Sequence, residues 1–200
     1  MKRAAAAGLK IDVLVDSEHW QNVSPAKAVV RRALKQASTR LSTKSAELAI
    51  VLTDDAAMRR LNRNWRRIDA PTNVLSFAPK NPGSQQPLDK PLGKHLGGHL
   101  GDIVLAYETI RREARRDGKQ FDHHLAHLAV HGFLHLLGYD HANDAQARRM
   151  EDTERAILRD LAVPDPYRAS DSIAGHAGRR PAKRPGRDSG RDRARIAQNA

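Results

Sequence analysis

The stretch HGFLHLLGYDH, residues 131–141, places three histidines in a segment that is otherwise apolar apart from one aspartate. Apolar residues recur at helical spacing over residues 122–137, and they cover most of the circumference of the helix that this spacing predicts. We therefore expect a helix that is buried almost all round. Its one polar strip consists of histidines that follow each other at intervals of four: His123, His127, His131 and His135.

The histidine spacing predicts a metal site. Side chains at i and i+4 lie one above the other on a helix, so His131 and His135 can direct both imidazoles at one ion. A third ligand could be His127 or His141, but ligands at i and i+8 of a straight helix lie about 12 Å apart, too far for bonds of roughly 2 Å to one zinc ion. His141 follows Gly138, where a left-handed turn can end the helix and return the chain to the site. We predict that His131, His135 and His141 bind zinc and that His127 lines the cavity or supports a ligand.

Two simpler interpretations of these histidines are hydrogen-bonded core residues and a structural zinc site. Three protein ligands without an obvious fourth leave one position open, which is the pattern of a catalytic metal. The same ligand spacing occurs in metzincin proteases, whose motif requires a glutamate directly after the first histidine as general base. Gly132 occupies that position here. The spacing therefore favours a zinc hydrolase, and the missing carboxylate argues against a peptidase.

Composition limits the class of protein. A chain of 200 residues with 40% hydrophobic content suits one core, and we expect a single metallohydrolase domain over residues 1–167. The net charge of +12 favours a polyanionic partner such as nucleic acid. The chain has no cysteine, so any metal must use His, Asp or Glu, and without a signal-peptide pattern or a membrane-spanning run we expect a cytoplasmic protein. Residues 168–200 hold nine Lys or Arg and three Asp with little to bury, which predicts a disordered basic tail.

Strand and helix patterns predict an α+β domain. We expect strands at 9–16, 46–53, 72–77 and 101–106, with a Pro- and Gly-rich surface loop between the last two. Helices are expected after Pro25, after a cap at Asp54 or Asp55, from about Tyr107, over 122–137, and from Asn143 or Asp144 to about Leu161. This order gives a small mixed sheet of about four strands covered by helices, with a zincin-like site on the buried helix. On the last helix, Glu154 falls at the inward edge.

The stretch HLAVHGFLHLLGYDH resembles the signature of the YbeY-type endoribonucleases, the bacterial ribosomal RNA maturation factors. Four further stretches agree with this resemblance: LNRNWRRIDAPTNVLSFAP, GDIVLA, RRMEDTERAIL and DPY. The resemblance extends from about residue 9 to 167. The sequence departs from the family in a longer loop between Phe77 and Gly101 and in the basic tail, neither of which touches the histidine motif.

The resemblance implies a small α+β zinc protein that cleaves single-stranded RNA. It implies a role in ribosomal RNA processing, above all at the 3′ end of 16S ribosomal RNA, and in ribosome quality control. The expected partners are single-stranded RNA, the ribosomal RNA precursor and the ribosome, with no DNA or membrane. The family's three zinc ligands correspond to His131, His135 and His141. Its functionally important arginine, in a stretch of the form NxxYR, corresponds to Arg66, with Trp65 in place of the tyrosine.

An alternative from a different class stays open. The protein could be a ribosome-assembly factor whose zinc site is mainly structural and whose apparent cleavage of RNA is weak or indirect. Under the enzymatic alternative, zinc would polarise a phosphoryl oxygen while the guanidinium of Arg66 stabilises charge in the transition state. A metallohydrolase for small substrates is disfavoured by the positive charge.

Overall fold

The computed structural model describes residues 8–21, 25–43, 46–79 and 98–168. Within these ranges, four strands and five α-helices form the fold, together with one short 3₁₀ turn at Glu18–Trp20. In chain order the strands and α-helices are β1 (Lys10–Val15), α1 (Ala26–Arg40), β2 (Ala46–Thr53), α2 (Asp55–Arg66), β3 (Val74–Phe77), β4 (Gly98–Ala106), α3 (Tyr107–Arg116), α4 (Phe121–Leu136) and α5 (Asp144–Asp160). The predicted loop lies mostly, and the predicted basic tail almost entirely, outside the described residues.

The four strands form one mixed sheet in the order β1-β2-β4-β3. β2 pairs in parallel with both β1 and β4, and β3 pairs antiparallel with β4. This arrangement confirms the α+β class and the small mixed sheet predicted from the sequence. No helix in the described ranges is both long and apolar enough to cross a membrane.

β4 begins three residues earlier than the pattern GDIVLA predicts, because Gly98 and His99 pair with Ala46 and Glu47 of β2. The register with β2 shifts at Glu47/Leu48, where Glu47 faces His99 and Leu48 faces Gly101. Gly101 has a φ of +129°, and a Cβ on it would lie 2.2 Å from the carbonyl oxygen of Phe77. Only glycine fits such a close approach between neighbouring strands.

The two faces of the sheet bury different helices. On one face, side chains such as Ile50 and Ile103 join the large core with α1 and α4. On the other face, Met58 of α2 packs into a smaller cluster with Leu75 and Val104. α4 contacts α1, α3, α5, β3 and β4, so the histidine-bearing helix is the central helix of the fold. The prediction that this helix is buried almost all round is confirmed.

Gly132 allows α4 to approach the sheet closely. A Cβ at this position would lie 2.9 Å from Cγ2 of Ile103 and 3.0 Å from Oγ of Ser76. The Ser76 hydroxyl also donates a hydrogen bond of 3.0 Å to the Gly132 carbonyl. Position 132 therefore faces strands β3 and β4, and a glutamate there would have to enter a packed contact.

The turn after α4 returns the chain towards the histidines. Gly138 has a φ of +84°, the left-handed conformation that the sequence predicts at this point. Its N–H donates to the His135 carbonyl at 3.0 Å, and the Tyr139 N–H donates to the Leu134 carbonyl at 3.0 Å. These two hydrogen bonds form a Schellman motif, which satisfies the last carbonyls of the helix and redirects the backbone before His141.

Candidate metal centre

His131 and His135 lie one turn apart on α4, and their Nε2 atoms face each other at 3.1 Å. His131 Nδ1 lies 2.8 Å from Glu154 Oε1, and His135 Nδ1 lies 3.1 Å from the Tyr139 carbonyl oxygen. Both of these oxygens are acceptors, so each neutral imidazole carries its proton on Nδ1 and its lone pair on Nε2. Two lone pairs cannot hydrogen-bond to one another, whereas a shared cation would satisfy both.

The rings of the three predicted ligands can be compared with the spacing that a tetrahedral zinc ion requires. Bonds of 2.0–2.1 Å at tetrahedral angles separate two ligand nitrogens by about 3.3 Å and two imidazole centroids by about 5 Å. The centroid of His135 lies 4.6 Å from that of His131 and 5.2 Å from that of His141, and the remaining pair lies 6.0 Å apart. His135 therefore lies near the tetrahedral spacing from both other rings, whereas His131 and His141 are about 1 Å further apart than this spacing, so His141 would have to move towards His131 to complete the set.

Glu154 forms a second group with two of the histidines. Its side chain has no exposed surface. Oε2 accepts a hydrogen bond from His127 Nε2 at 3.0 Å, and Oε1 accepts one from His131 Nδ1 at 2.8 Å. The hydroxyl of Tyr167 donates to the same carboxylate. The ligand atoms of His127, His131 and Glu154 all lie within 4.8 Å of one another, so this group could also hold a metal ion.

His131 belongs to both groups, and their contacts differ in kind. The distances from Glu154 to His127 and His131 are those of ordinary hydrogen bonds, and with the Tyr167 hydroxyl the carboxylate already accepts three donors. The contact between Nε2 of His131 and Nε2 of His135 cannot be an ordinary hydrogen bond when both rings are neutral, because neither nitrogen then carries a proton. The sequence places Glu154 on the inward side of α5 but does not assign it a contact. The signal that could have found it is a carboxylate on the buried face of one helix opposite a histidine strip on another.

Charge in the site favours a cation at neutral pH. Burial alone would raise the pKa of Glu154, but hydrogen bonds from His127 and His131 outweigh burial and hold this pKa at about 2. Burial, together with the neighbouring rings of His131 and His141, lowers the pKa of His135 to about 4. At neutral pH the carboxylate is therefore ionised, and the His135 imidazole is neutral with its lone pair available.

A cavity of about 380 Å³ opens beside the histidines, and His131 and His141 are among the residues that line it. Arg116 also lines this cavity, as does Glu113, whose carboxylate accepts hydrogen bonds of 2.9 Å from Asn73 Nδ2 and from His124 Nε2. Burial would raise the pKa of Glu113, but these hydrogen bonds lower it overall. The cavity therefore presents both acidic and basic groups next to the candidate metal centre.

A larger cavity of about 890 Å³ lies between α2 and the sheet, and none of the predicted zinc ligands lines it. Arg66 is exposed at the last residue of α2 and lines neither this cavity nor the one beside the histidines. Size alone would select the larger cavity, but the grouped imidazoles and buried carboxylate are the groups with metal-binding chemistry. The smaller cavity is therefore the candidate functional site.

Comparison with known proteins identifies the family. The family model described as "Endoribonuclease YbeY" matches residues 14–162. The chain belongs to the endoribonuclease YbeY family. An endoribonuclease YbeY of Rhodopseudomonas palustris strain BisB18 is 53% identical over 164 residues, covering 81% of this chain and 94% of that protein. The endoribonuclease YbeY of Nitrobacter hamburgensis is 51% identical over 166 residues, covering 82% of this chain and 84% of that protein.

Membership of the YbeY family confirms the resemblance found in the sequence, and it places the chain in a family of hydrolases. Among solved structures, the solution structure of a Thermotoga maritima protein matches with a TM-score of 0.51. The match covers 84% of this chain and 99% of that protein at 21% sequence identity. At this identity the likeness shows a shared fold, and it agrees with the mixed sheet and helices described above.

Proposed function

We propose that the protein is a zinc-dependent endoribonuclease that cleaves single-stranded RNA in ribosomal RNA processing, including maturation of the 3′ end of 16S ribosomal RNA, and in ribosome quality control. The observation that carries this proposal is the pair of Nε2 atoms of His131 and His135, 3.1 Å apart beside an open cavity, in a chain of the YbeY family. The ribosomal RNA precursor and the ribosome are the proposed partners. A net charge of +12 suits both of these polyanions.

The proposed ligands of one zinc ion are His131, His135 and His141. The orientation of the first two imidazoles and the distances from the His135 ring to the other two rings support this set. The His141 side chain is 59% exposed, so the side of the site that it forms is open to solvent. Three protein ligands beside a cavity leave room for a substrate oxygen, as in catalytic zinc sites.

Zinc bound there would supply Lewis acidity, which polarises a phosphoryl oxygen and lowers the pKa of a coordinated water molecule to about 7. The cavity residues would orient the RNA strand, and Arg116, whose Nε pairs with Asp117 at 2.8 Å, would offer its remaining N–H groups to a phosphate. Arg66 is proposed as the guanidinium that stabilises developing charge on the scissile phosphate, a role implied by the family resemblance. Because Arg66 is exposed at the end of α2, this role requires the RNA to extend from the histidine cavity to that helix.

The alternative function is ribosome assembly with a mainly structural zinc ion. Structural zinc sites are usually closed by four protein ligands. The exposure of His141 and the cavity next to it favour the enzymatic function over this alternative.

Single-turnover cleavage of a defined single-stranded RNA separates the two functions. The zinc-loaded protein should cleave this RNA, chelation should abolish cleavage, and added zinc should restore it. The His135→Ala variant serves as the control for contaminating nucleases. Equal cleavage by the wild type and His135→Ala would refute the enzymatic proposal.

A further inference from the structure

Two stretches of the family resemblance, RRMEDTERAIL and DPY, have no chemical role in the function proposed above. Glu154 lies in the first stretch and Tyr167 in the second. α5 packs against α4 and directs Glu154 at the histidine strip, while the chain after α5 brings Tyr167 back to the same carboxylate. Both stretches therefore converge on one buried side chain.

The carboxylate of Glu154 is held by contacts on several sides. His127 and His131 donate from α4, and the Tyr167 hydroxyl donates from the chain that follows α5. The Tyr167 ring also packs edge-on against His127, with 5.6 Å between centroids, and the guanidinium of Arg155 lies 4.8 Å from the Tyr167 ring. The charge is thus buried, but each of its hydrogen-bond partners is fixed by a further contact.

Replacing a buried, hydrogen-bonded charge by apolar side chains is often neutral or stabilising, so burial of a carboxylate at this position is weak evidence for a role in stability alone. The contact with His131 supplies another role. By accepting the Nδ1 proton, Glu154 fixes both the ring orientation and the tautomer, and it leaves the Nε2 lone pair towards His135. A carboxylate behind a metal-binding histidine also increases the basicity of that ligand.

We propose that Glu154 is a positioning residue for His131 and that Tyr167 and His127 hold the Glu154 carboxylate in place. The inference rests on the proposed metal site of His131, His135 and His141. It differs from a role for Glu154 as a direct ligand, in which a metal ion would displace the hydrogen bonds from His127 and His131. The present contacts already provide Glu154 with three donors.

Metal affinity tests the proposal. Zinc competition with a chromophoric chelator should show affinity about 10–100-fold lower in Glu154→Gln, the range expected when a partner behind a ligand is removed. Tyr167→Phe keeps the ring and removes the hydroxyl, so it should lower zinc affinity in the same direction but less. Asp144→Asn changes an exposed carboxylate on the first turn of the same helix, ten residues before Glu154, and should leave zinc affinity unchanged. Unchanged affinity in Glu154→Gln would overturn the proposal.

A spectroscopic measurement separates positioning from direct ligation. If Glu154 only positions His131, Glu154→Gln saturated with cobalt still binds one cobalt ion per chain and has the wild-type ligand-field spectrum. In the zinc-loaded variant, the proton resonance of His131 Nδ1 moves upfield, because its acceptor has lost its charge. Loss of stoichiometric cobalt or a changed ligand field would identify Glu154 as a ligand and refute positioning. If Glu154→Gln does not fold, Tyr167→Phe alone decides through the same measurements.

Failure of the metal site itself has a different signature. If wild-type protein binds no zinc or cobalt, the proposed function fails together with this inference. If the wild type binds metal and the Glu154→Gln and Tyr167→Phe variants bind it equally well, this inference fails and the proposed function stands.

Discussion

At the residue scale, His131 is shared by two overlapping groups of possible ligands, and one pair of substitutions distinguishes them. We expect purified protein to hold about one zinc ion per chain, His135→Ala to lose it, and His127→Ala to keep it. The reason is that His135 Nε2 faces His131 Nε2, whereas His127 Nε2 is bound to Glu154. Metal content of the purified variants, measured by inductively coupled plasma mass spectrometry, checks the expectation.

The reverse pattern, with zinc lost in His127→Ala and kept in His135→Ala, would assign the metal to His127, His131 and Glu154 instead. Thermal unfolding provides a second measurement on the same variants. Because bound zinc stabilises the native state by mass action, chelation should lower the melting temperature of the wild type and His127→Ala but not that of His135→Ala.

Arg66 carries the second prediction at this scale. Arg66→Ala should leave zinc content and folding intact, because the side chain is exposed at the end of α2. If its guanidinium contacts the scissile phosphate, the single-turnover rate at saturating RNA should fall about 10²-fold, as expected on loss of one donor to the transition state.

Two other arginines provide matched comparisons for Arg66→Ala. Arg67→Ala removes a neighbouring exposed charge, and it should affect RNA binding but not the rate at saturation. Arg116 lines the histidine cavity, whereas Arg66 does not. A normal rate in Arg66→Ala combined with a reduced rate in Arg116→Ala would transfer the proposed electrostatic role to Arg116.

At the scale of elements, the contact between α4 and the sheet depends on the absence of a side chain at Gly132. Replacing glycine by alanine inside a helix usually stabilises it by about 0.5–1 kcal/mol. Here the new Cβ would meet Ile103 at 2.9 Å and Ser76 at 3.0 Å, so Gly132→Ala should instead lower the free energy of unfolding by about 1–3 kcal/mol. Urea unfolding of the zinc-loaded protein measures the change.

A double-mutant cycle with Ser76→Ala tests the cause of this destabilisation. Removing the Ser76 hydroxyl also removes its hydrogen bond to the Gly132 carbonyl and one of the crowded atoms. The two substitutions should therefore be less destabilising together than the sum of their separate effects. Additive effects would show that the crowding at Ser76 does not determine the role of Gly132.

Local sequence patterns predict the elements better than they predict the contacts between elements. The strand at 46–53 and the cap at Asp54 follow from alternation and capping chemistry, and the structure has both. The early start of β4 was missed because its first residues join the sheet by pairing with β2, where Gly98 faces Ala46, 52 residues earlier in the chain. The partner of His131 was missed for the same reason, since Glu154 lies 23 residues further along.

At the scale of the whole molecule, composition predicted one core. The described residues instead form two apolar clusters, a large one and a small one, on opposite faces of one sheet. Histidine spacing predicted that His131 and His135 face each other, and the Gly138 turn was also predicted, because helix periodicity and a left-handed glycine are local properties. Spacing does not reveal how RNA approaches the site. That question depends on the distribution of charge over the whole chain, which includes residues outside the described ranges.

Truncation after Arg168 tests how that charge contributes. The truncation removes eight Lys or Arg and three Asp, so it should weaken RNA binding and flatten the dependence of affinity on salt concentration, since fewer counterions are released from the RNA. The histidines and Glu154 all precede residue 168, so the single-turnover rate at saturating RNA should not change. Affinity titrations at several salt concentrations and rates at saturation, with one RNA for both proteins, separate the two effects. Loss of cleavage at saturation would mean that residues 169–200 take part in the chemical step.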